Sequence, residues 1–252
     1  MYEDAKQKAE PKDGKPYEPE RSAFKGGFVS HKPPISKEDI LQKPVAELVK
    51  YLAEFKGADF WHGTFDGEPD KEGLADVLQA AVKDEPKKFT EEIDAFISVE
   101  YFYLHRVLRG LKEACNSEKE LDWNNVFGFC LKYFSRGKDM ILRDALQAQG
   151  EDSGKGRYIW IVEDIVELIG DGSENDKRAF PQEHFDKVEQ IFDLILPLLK
   201  GEKRPDTQRD ALTYVLNTTL GRTIRAYMSF SLRVSSVTQK KQEDWGQKKY
   251  ER

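Results

Sequence analysis

Apolar residues recur every three or four positions along almost the whole chain between Pro44 and Val237, and Pro, Gly and Asp mark the breaks. This spacing places them on one face of successive α-helices, whereas half-buried strands would alternate apolar and polar residues. The pattern therefore predicts an all-α fold. No equally clear pattern of catalytic or cofactor-binding residues accompanies it, so the sequence constrains the architecture more than the function.

The two ends of the chain differ in composition from its middle. Residues 1–34 contain five prolines among many charged residues. A segment with so few apolar residues cannot bury enough surface to offset the conformational entropy lost on ordering. We therefore predict a flexible or extended arm at 1–34, a helical domain at 35–237 and a charged tail at 238–252.

Charge and cysteine content argue against several classes of protein. A net charge of −6 disfavours a general nucleic-acid-binding protein, which needs a clustered excess of Lys and Arg. Cys115 and Cys130 are too few for a disulfide scaffold, so we predict two buried, free thiols. Without a membrane-spanning run or an export signal, the predicted location is cytoplasmic, without membrane contact.

Residues at the breaks predict where helices begin and end. Ser36 has the sequence of a capping box before a first helix at 37–42, and Asp70 and Asp122 are placed to cap later helices. Pro86 is expected to open a helix that runs through Ile97. Gly170 stands where a left-handed residue would end a helix.

The predicted helices pair into antiparallel hairpins. The first helices of successive pairs begin near residues 44, 86, 122 and 182. Two-helix solenoid repeats recur at roughly 40 to 47 residues, so this spacing is an irregular version of that period. We predict a HEAT-like α-solenoid of stacked helical hairpins with irregular repeats, and a single closed helical bundle is the alternative.

The last predicted helix, at about 207–237, carries two patterns. Its predicted apolar stripe consists of Leu212, Val215, Leu216, Leu220, Ile224, Tyr227, Met228 and Leu232. A polar strip, at steps of four, consists of Thr213, Asn217, Gly221 and Arg225. A hydrogen-bonded seam between helices is the favoured interpretation of this strip, and a surface that binds a ligand or partner is the alternative.

Motifs that resemble chemical sites do not meet the requirements of those sites. The four histidines are scattered without metal-binding spacing, and no metal or cofactor is predicted. The glycine-rich run at 150–156 lacks the Ser or Thr and the preceding strand of a phosphate-binding loop. Glu163, Asp164 and Glu167 have the spacing of a carboxylate site, but we interpret them as a solvated helix face.

Five residues are the candidate contacts with a partner. Trp61, His62 and Phe65 lie in a glycine-rich connection, where large aromatic residues either cover the core, which is the favoured interpretation, or anchor a partner. Arg222 and Arg225 are the candidates in the last helix. The predicted partner is another protein or another domain of a larger assembly.

Several segments are similar to the helical-repeat regions of large, multi-domain bacterial proteins. These segments are Pro44–Leu52, Lys71–Leu78, Val107–Ala114, Leu121–Val126 and Asp210–Arg222. The resemblance extends over roughly residues 36–235, and some of the proteins resemble antiviral-defence NTPases whose helical arrays sense a foreign protein. It implies a recognition region in a bacterial defence assembly. It transfers no catalytic residue, and this chain shows no NTPase or nuclease segment.

We therefore predict a non-catalytic protein-interaction scaffold or recognition region. One alternative is a small helical hydrolase or transferase whose site is assembled around Cys130 and His105. Another is a structural subunit of an oligomer, attached through 1–34 and 238–252. The sequence does not determine the oligomeric state.

Overall fold

The computed structural model describes residues 31–57, 68–147, 158–174, 176–199 and 218–238. Within these ranges every regular element is helical, which confirms the all-α prediction, and Lys32 and Pro69 form an isolated β-bridge. The α-helices of these ranges are α1 (Lys37–Gln42), α2 (Val45–Glu54), α3 (Lys71–Asp84), α4 (Pro86–Glu91), α5 (Tyr101–Asn116), α6 (Trp123–Ser135), α7 (Lys138–Gln147), α8 (Tyr158–Glu174), α9 (Phe185–Leu198) and α10 (Thr219–Thr238). Residues 1–30 of the predicted arm and 239–252 of the predicted tail lie outside the described residues.

Three predicted helix starts are confirmed by their capping contacts. The Ser36 hydroxyl accepts a hydrogen bond from the Asp39 amide at 3.1 Å, and the Asp39 carboxylate accepts one from the Ser36 amide at 3.1 Å. The carboxylates of Asp70 and Asp122 each accept from the amide three residues later, at 2.6 and 3.0 Å. These side chains satisfy amides that have no partner inside the helix, so each helix begins where its cap stands.

Two predicted helix ends are wrong. The helix opened by Pro86 ends at Glu91, because Glu92 leaves helical geometry with φ −122° and ψ 26°, and a 3₁₀ helix follows at Ile93–Ser98. Gly170 does not end α8, which continues to Glu174. A Cβ atom at Gly170 would lie 3.5 Å from the Cβ of Ala226, so this glycine sits where α10 closely approaches α8.

Four helices, α3, α5, α8 and α10, lie side by side in that order and run in the same direction. Each contacts its neighbour, and the residue numbers of the paired side chains rise together on both helices. These pairs are Glu72–Arg106 and Gln79–Glu113, His105–Asp164 and Asn116–Asp171, and Thr219–Glu163 and Ser229–Glu174. The central helix α8 therefore has α5 on one side and α10 on the other.

An aromatic cluster joins α10 to the helices beneath it. Helices α6 and α9 contact each other, and the ring of Phe180 lies 5.0 Å from that of Phe127 on α6. Phe230 of α10 is 1% exposed and lies 5.6 Å from Phe185 and 6.0 Å from Phe192, both on α9. Burial of a phenylalanine stabilises a fold by roughly 1.5–3 kcal/mol, so these rings fix which face of α10 points inward.

Lys88 of α4 holds the end of α1. Its ammonium group donates to the backbone carbonyls of Leu41 and Lys43, at 2.6 Å each, and to that of Ile40 at 3.3 Å. Carbonyls at a helix C-terminus have no hydrogen-bond donor within the helix and carry partial negative charge. A cation with N–H groups supplies the missing donors and also offsets that charge. Burial lowers the pKa of Lys88.

Candidate functional site

A charged groove runs along the outer face of α8, between α5 and α10. Its wider part has a volume of about 520 Å³ and is lined by His105, Arg109, Lys112, Trp160, Glu163, Asp164, Glu167 and Arg222. A second part of about 280 Å³ shares Lys112, Glu167 and Arg222 with the first and reaches Glu174 and Arg225. Carboxylates of α8 therefore form the floor, and the cations stand on α5 and α10.

A cluster of ion pairs at the middle of the groove connects all three helices. Glu167 of α8 accepts hydrogen bonds from Lys112 of α5 and from Arg222 of α10. Arg222 also lies 3.8 Å from Glu163, whose carboxylate accepts a hydrogen bond from the Thr219 hydroxyl at 2.7 Å. Burial acts to raise the pKa of Glu167, but the two cations outweigh it and lower that pKa.

His105 and Asp164 form a close pair at the other end of the groove. His105 Nδ1 lies 2.5 Å from the carboxylate of Asp164, whose side chain is 7% exposed. Burial raises the pKa of Asp164, and His105 opposes that shift. The ring of Trp160, which is 42% exposed, lies 5.5 Å from the His105 ring. If the neutral imidazole donates through Nδ1, its Nε2 is left as a proton acceptor, so this pair has the chemistry of a general base.

Cys130 does not join this pair. It is almost fully buried on α6, burial raises the pKa of its thiol, and it does not line the groove. Among the described side chains that line the wider part, none is Ser, Thr or Cys. Both Cys115 and Cys130 are free and buried, which confirms the predicted thiols.

The interpretation of Glu163, Asp164 and Glu167 as a solvated face is wrong, because all three are mostly buried under neighbouring helices. The sequence does carry a matching signal. His105, Arg109 and Lys112 recur at steps of four and three on α5, which complements the spacing of the carboxylates. These two spacings could be used to predict ion pairs only if α5 and α8 were already known to be neighbours.

The outer face of α10 carries an apolar ridge. We define the α10 ridge as Leu220, Ile224, Met228 and Leu232, whose exposure rises from 40% at Leu220 to 65% at Leu232. These four residues belong to the apolar stripe predicted for the last helix, but the structure leaves them exposed. Ala226, Phe230 and Val234 are buried instead. The small Ala226 allows α10 to approach α8 closely, and Phe230 packs into the aromatic cluster. The face of α10 that carries these residues is therefore buried, and its second apolar face, the α10 ridge, points to solvent.

The five predicted contact residues fall in different places. Trp61, His62 and Phe65 lie outside the described residues. Arg222 lies in the groove and is bound by Glu167. Arg225 is exposed and lines the narrower part of the groove. Both arginines therefore line the narrower part of the groove, where Arg222 is ion-paired and Arg225 is exposed.

Of the polar strip, Thr213 and Asn217 lie outside the described residues. Gly221 is buried, whereas Arg225 is exposed. The two described members therefore have different environments, and the hydrogen-bonded seam stays a prediction.

No group of three or more His, Cys, Asp or Glu side chains among the described residues is arranged to hold a metal ion. None of the helices in those same ranges is long and apolar enough to cross a membrane. Comparison with known protein families, characterised proteins and solved structures finds no match to this chain.

Proposed function

We propose that this chain is a non-catalytic protein-interaction scaffold of stacked helical hairpins, and that another protein, or another domain of a larger assembly, docks on the α10 ridge. The observation that carries the proposal is the exposure of four large apolar side chains in one row. Single exposed apolar residues are ordinary, but a contiguous row at helical spacing is typical of a surface that another helix covers.

The order of the helices supports a stacked arrangement. The parallel helices α3, α5, α8 and α10 are separated along the chain by α4, by α6 together with α7, and by α9, which is close to the alternation of two layers in a helical-repeat protein. In such a stack every inner helix is covered by the next one, and an outermost helix needs a polar outer face. The apolar ridge of α10 fits a position that another helix covers.

Affinity capture tests this proposal with a matched pair of variants. Met228 lies in the α10 ridge, and Met140 of α7 is a comparably exposed methionine away from it. The intact chain would be used to capture proteins from its native lysate at moderate salt, in parallel with Met228→Glu and Met140→Glu. We expect a stoichiometric protein that Met140→Glu retains and Met228→Glu loses. Absence of any protein that depends on Met228 would contradict the scaffold.

The cellular setting that we propose rests on the sequence resemblance alone. Helical-repeat regions similar to this one imply recognition of a foreign protein in a cytoplasmic bacterial antiviral-defence assembly. The test is the plating efficiency of a diverse set of phages on cells with and without the intact gene. Equal plating of every phage would contradict this setting and leave the scaffold proposal unchanged.

A small hydrolase or transferase is the second candidate, and the His105–Asp164 pair in a cleft of about 520 Å³ is the observation that favours it. Because Cys130 is buried, a water molecule would be the nucleophile that His105 activates in the hydrolase. A screen of ester and phosphoester substrates with the chain and His105→Gln tests this candidate. Turnover that His105→Gln abolishes would support the enzyme, and no turnover would count against it.

A further inference from the structure

We infer that the occupant of the α10 ridge is an amphipathic helix of another protein whose apolar face is flanked by acidic residues. This inference rests on the proposed scaffold function and specifies the chemistry of its partner. Three features support it. They are the spacing of the ridge residues, the positive charge beside the ridge, and the contact between like charges that a second copy of this chain would create.

The spacing of the ridge favours a helix over an extended peptide. Leu220, Ile224, Met228 and Leu232 follow each other at steps of four, so they form a single row along about 18 Å of helix. Such a row packs between the corresponding rows of a second helix, which crosses the first at about −50°. At this crossing angle, a partner helix of about three turns with apolar residues at positions i, i+4 and i+7 would contact the middle of the ridge.

Charge beside the ridge favours acidic flanks. The charged residues of α10 are three arginines, Arg222, Arg225 and Arg233, without a carboxylate. Glu167 binds Arg222, and Asp176 accepts from Arg233 at 2.9 Å. Arg225 is exposed and makes no ion pair within the described ranges. A carboxylate on a docked helix would therefore find an available cation at this position.

Helical geometry places Arg225 at the border of the ridge. Successive residues turn by about 100°, so Arg225 projects about 20° from Leu232 and about 60° from Met228 around the axis. Its position on the rim of the groove agrees with this direction. A helix seated on Met228 and Leu232 would thus bring its flanking side chains within reach of the guanidinium group.

A second copy of this chain fits the ridge less well. Two antiparallel copies of α10 would match Leu220 with Leu232 and Ile224 with Met228, which is a good apolar fit. The same arrangement would bring two Arg225 side chains together, and like charges in contact oppose association.

Two synthetic peptides test the inference on the intact chain. Both would be helical, with the same three-turn apolar face, and one would have Glu and the other Lys at the flanking positions. Fluorescence anisotropy at moderate salt would give the two dissociation constants. We expect the Glu peptide to bind up to about fivefold more tightly, which is the scale of an exposed ion pair.

Variants assign the binding to the ridge and the preference to Arg225. Met228→Glu should raise the dissociation constant of the Glu peptide more than about tenfold, because an apolar contact is lost and a charge is placed in the interface. Met140→Glu should leave its affinity unchanged. Arg225→Glu should reverse the preference, so that the Lys peptide binds more tightly.

The possible failures are distinguishable. Equal binding of both peptides, together with a captured protein that depends on Met228, would overturn acidic flanks and keep the scaffold. A dimer in sedimentation velocity that Met228→Glu dissociates would overturn the inference, because a second copy would be the occupant. Absence of peptide binding, of a dimer and of a captured protein would overturn both proposals.

Discussion

Replacing Gly110 by alanine should force α5 away from α3. A Cβ atom at this buried position would lie 2.7 Å from the backbone oxygen of Gln79 and 2.8 Å from the Cβ of Val82. Real Cβ contacts are not that short, and the Gln79 oxygen belongs to the backbone of α3, which cannot rotate away. The helix pair would therefore have to separate, and overpacking of this kind costs about 1–3 kcal/mol.

Gly128 of α6 provides the matched control. It also lies inside a helix, but it is exposed, and no atom outside its local backbone lies within 4 Å of its would-be Cβ. Alanine favours the helix over glycine by about 0.8–1 kcal/mol at either position. Gly128→Ala should therefore stabilise the protein by about that amount, whereas Gly110→Ala combines the same gain with the overpacking cost.

The difference between the two variants isolates the contact between α3 and α5. Because helix propensity cancels, Gly110→Ala should be about 1–3 kcal/mol less stable than Gly128→Ala. Urea unfolding followed by circular dichroism gives both free energies of unfolding, provided that the slopes with denaturant agree. Equal stabilisation by both substitutions would refute the close approach of α3 and α5.

Three further predictions concern the groove, the aromatic cluster and the thiols. Glu167→Gln should lower the free energy of unfolding by about 1–3 kcal/mol at neutral pH. The lowered pKa of Glu167 stabilises the fold above its unfolded pKa of about 4.5, and this contribution disappears as pH falls through the folded value. Urea unfolding at pH 7 and pH 3 should therefore show a smaller difference from wild type at pH 3, and an unchanged difference would contradict the assigned charge pairing. Phe230→Ala should cost about 3–5 kcal/mol by the same measurement, because it leaves a cavity among the rings of the cluster, and a loss under about 1 kcal/mol would contradict its burial. Burial raises the pKa of Cys115 to about 11 and leaves Cys130 1% exposed, so both thiols should react with a colorimetric thiol reagent at pH 7.5 far more slowly in the native protein than in urea. Equally fast reaction in both would contradict this prediction.

Helix caps and helical periodicity could be predicted from the sequence, because the interactions that stabilise them join residues close together in the chain. Ser36, Asp70 and Asp122 cap helices wherever those helices pack, since each side chain binds an amide within its own first turn. The period of apolar residues likewise predicts helices without reference to their partners. The role of Gly170 could not be predicted in this way, because it is set by Ala226 on another helix.

The charged groove and the α10 ridge depend on contacts between distant segments. The periodicity of α10 allows either of two apolar faces to be buried, and its small and aromatic residues decide the choice by fitting Gly170 and Phe192. Likewise, Asp164 and Glu167 are buried only because α5 and α10 cover them. A single helix with carboxylates at this spacing would ordinarily be solvated, so no local rule identifies these two.

Because Lys88 binds the end of α1, covalent modification of the Lys88 ammonium group should change the stability of this helix. Three carbonyls share one ammonium group. Acetylation would remove its charge and all but one of its N–H donors, so three acceptors at a helix end would compete for a single amide proton. Methylation would keep the charge but replace N–H donors one at a time. The graded loss of α1 across this series would measure how much of the attachment is electrostatic and how much is directional hydrogen bonding.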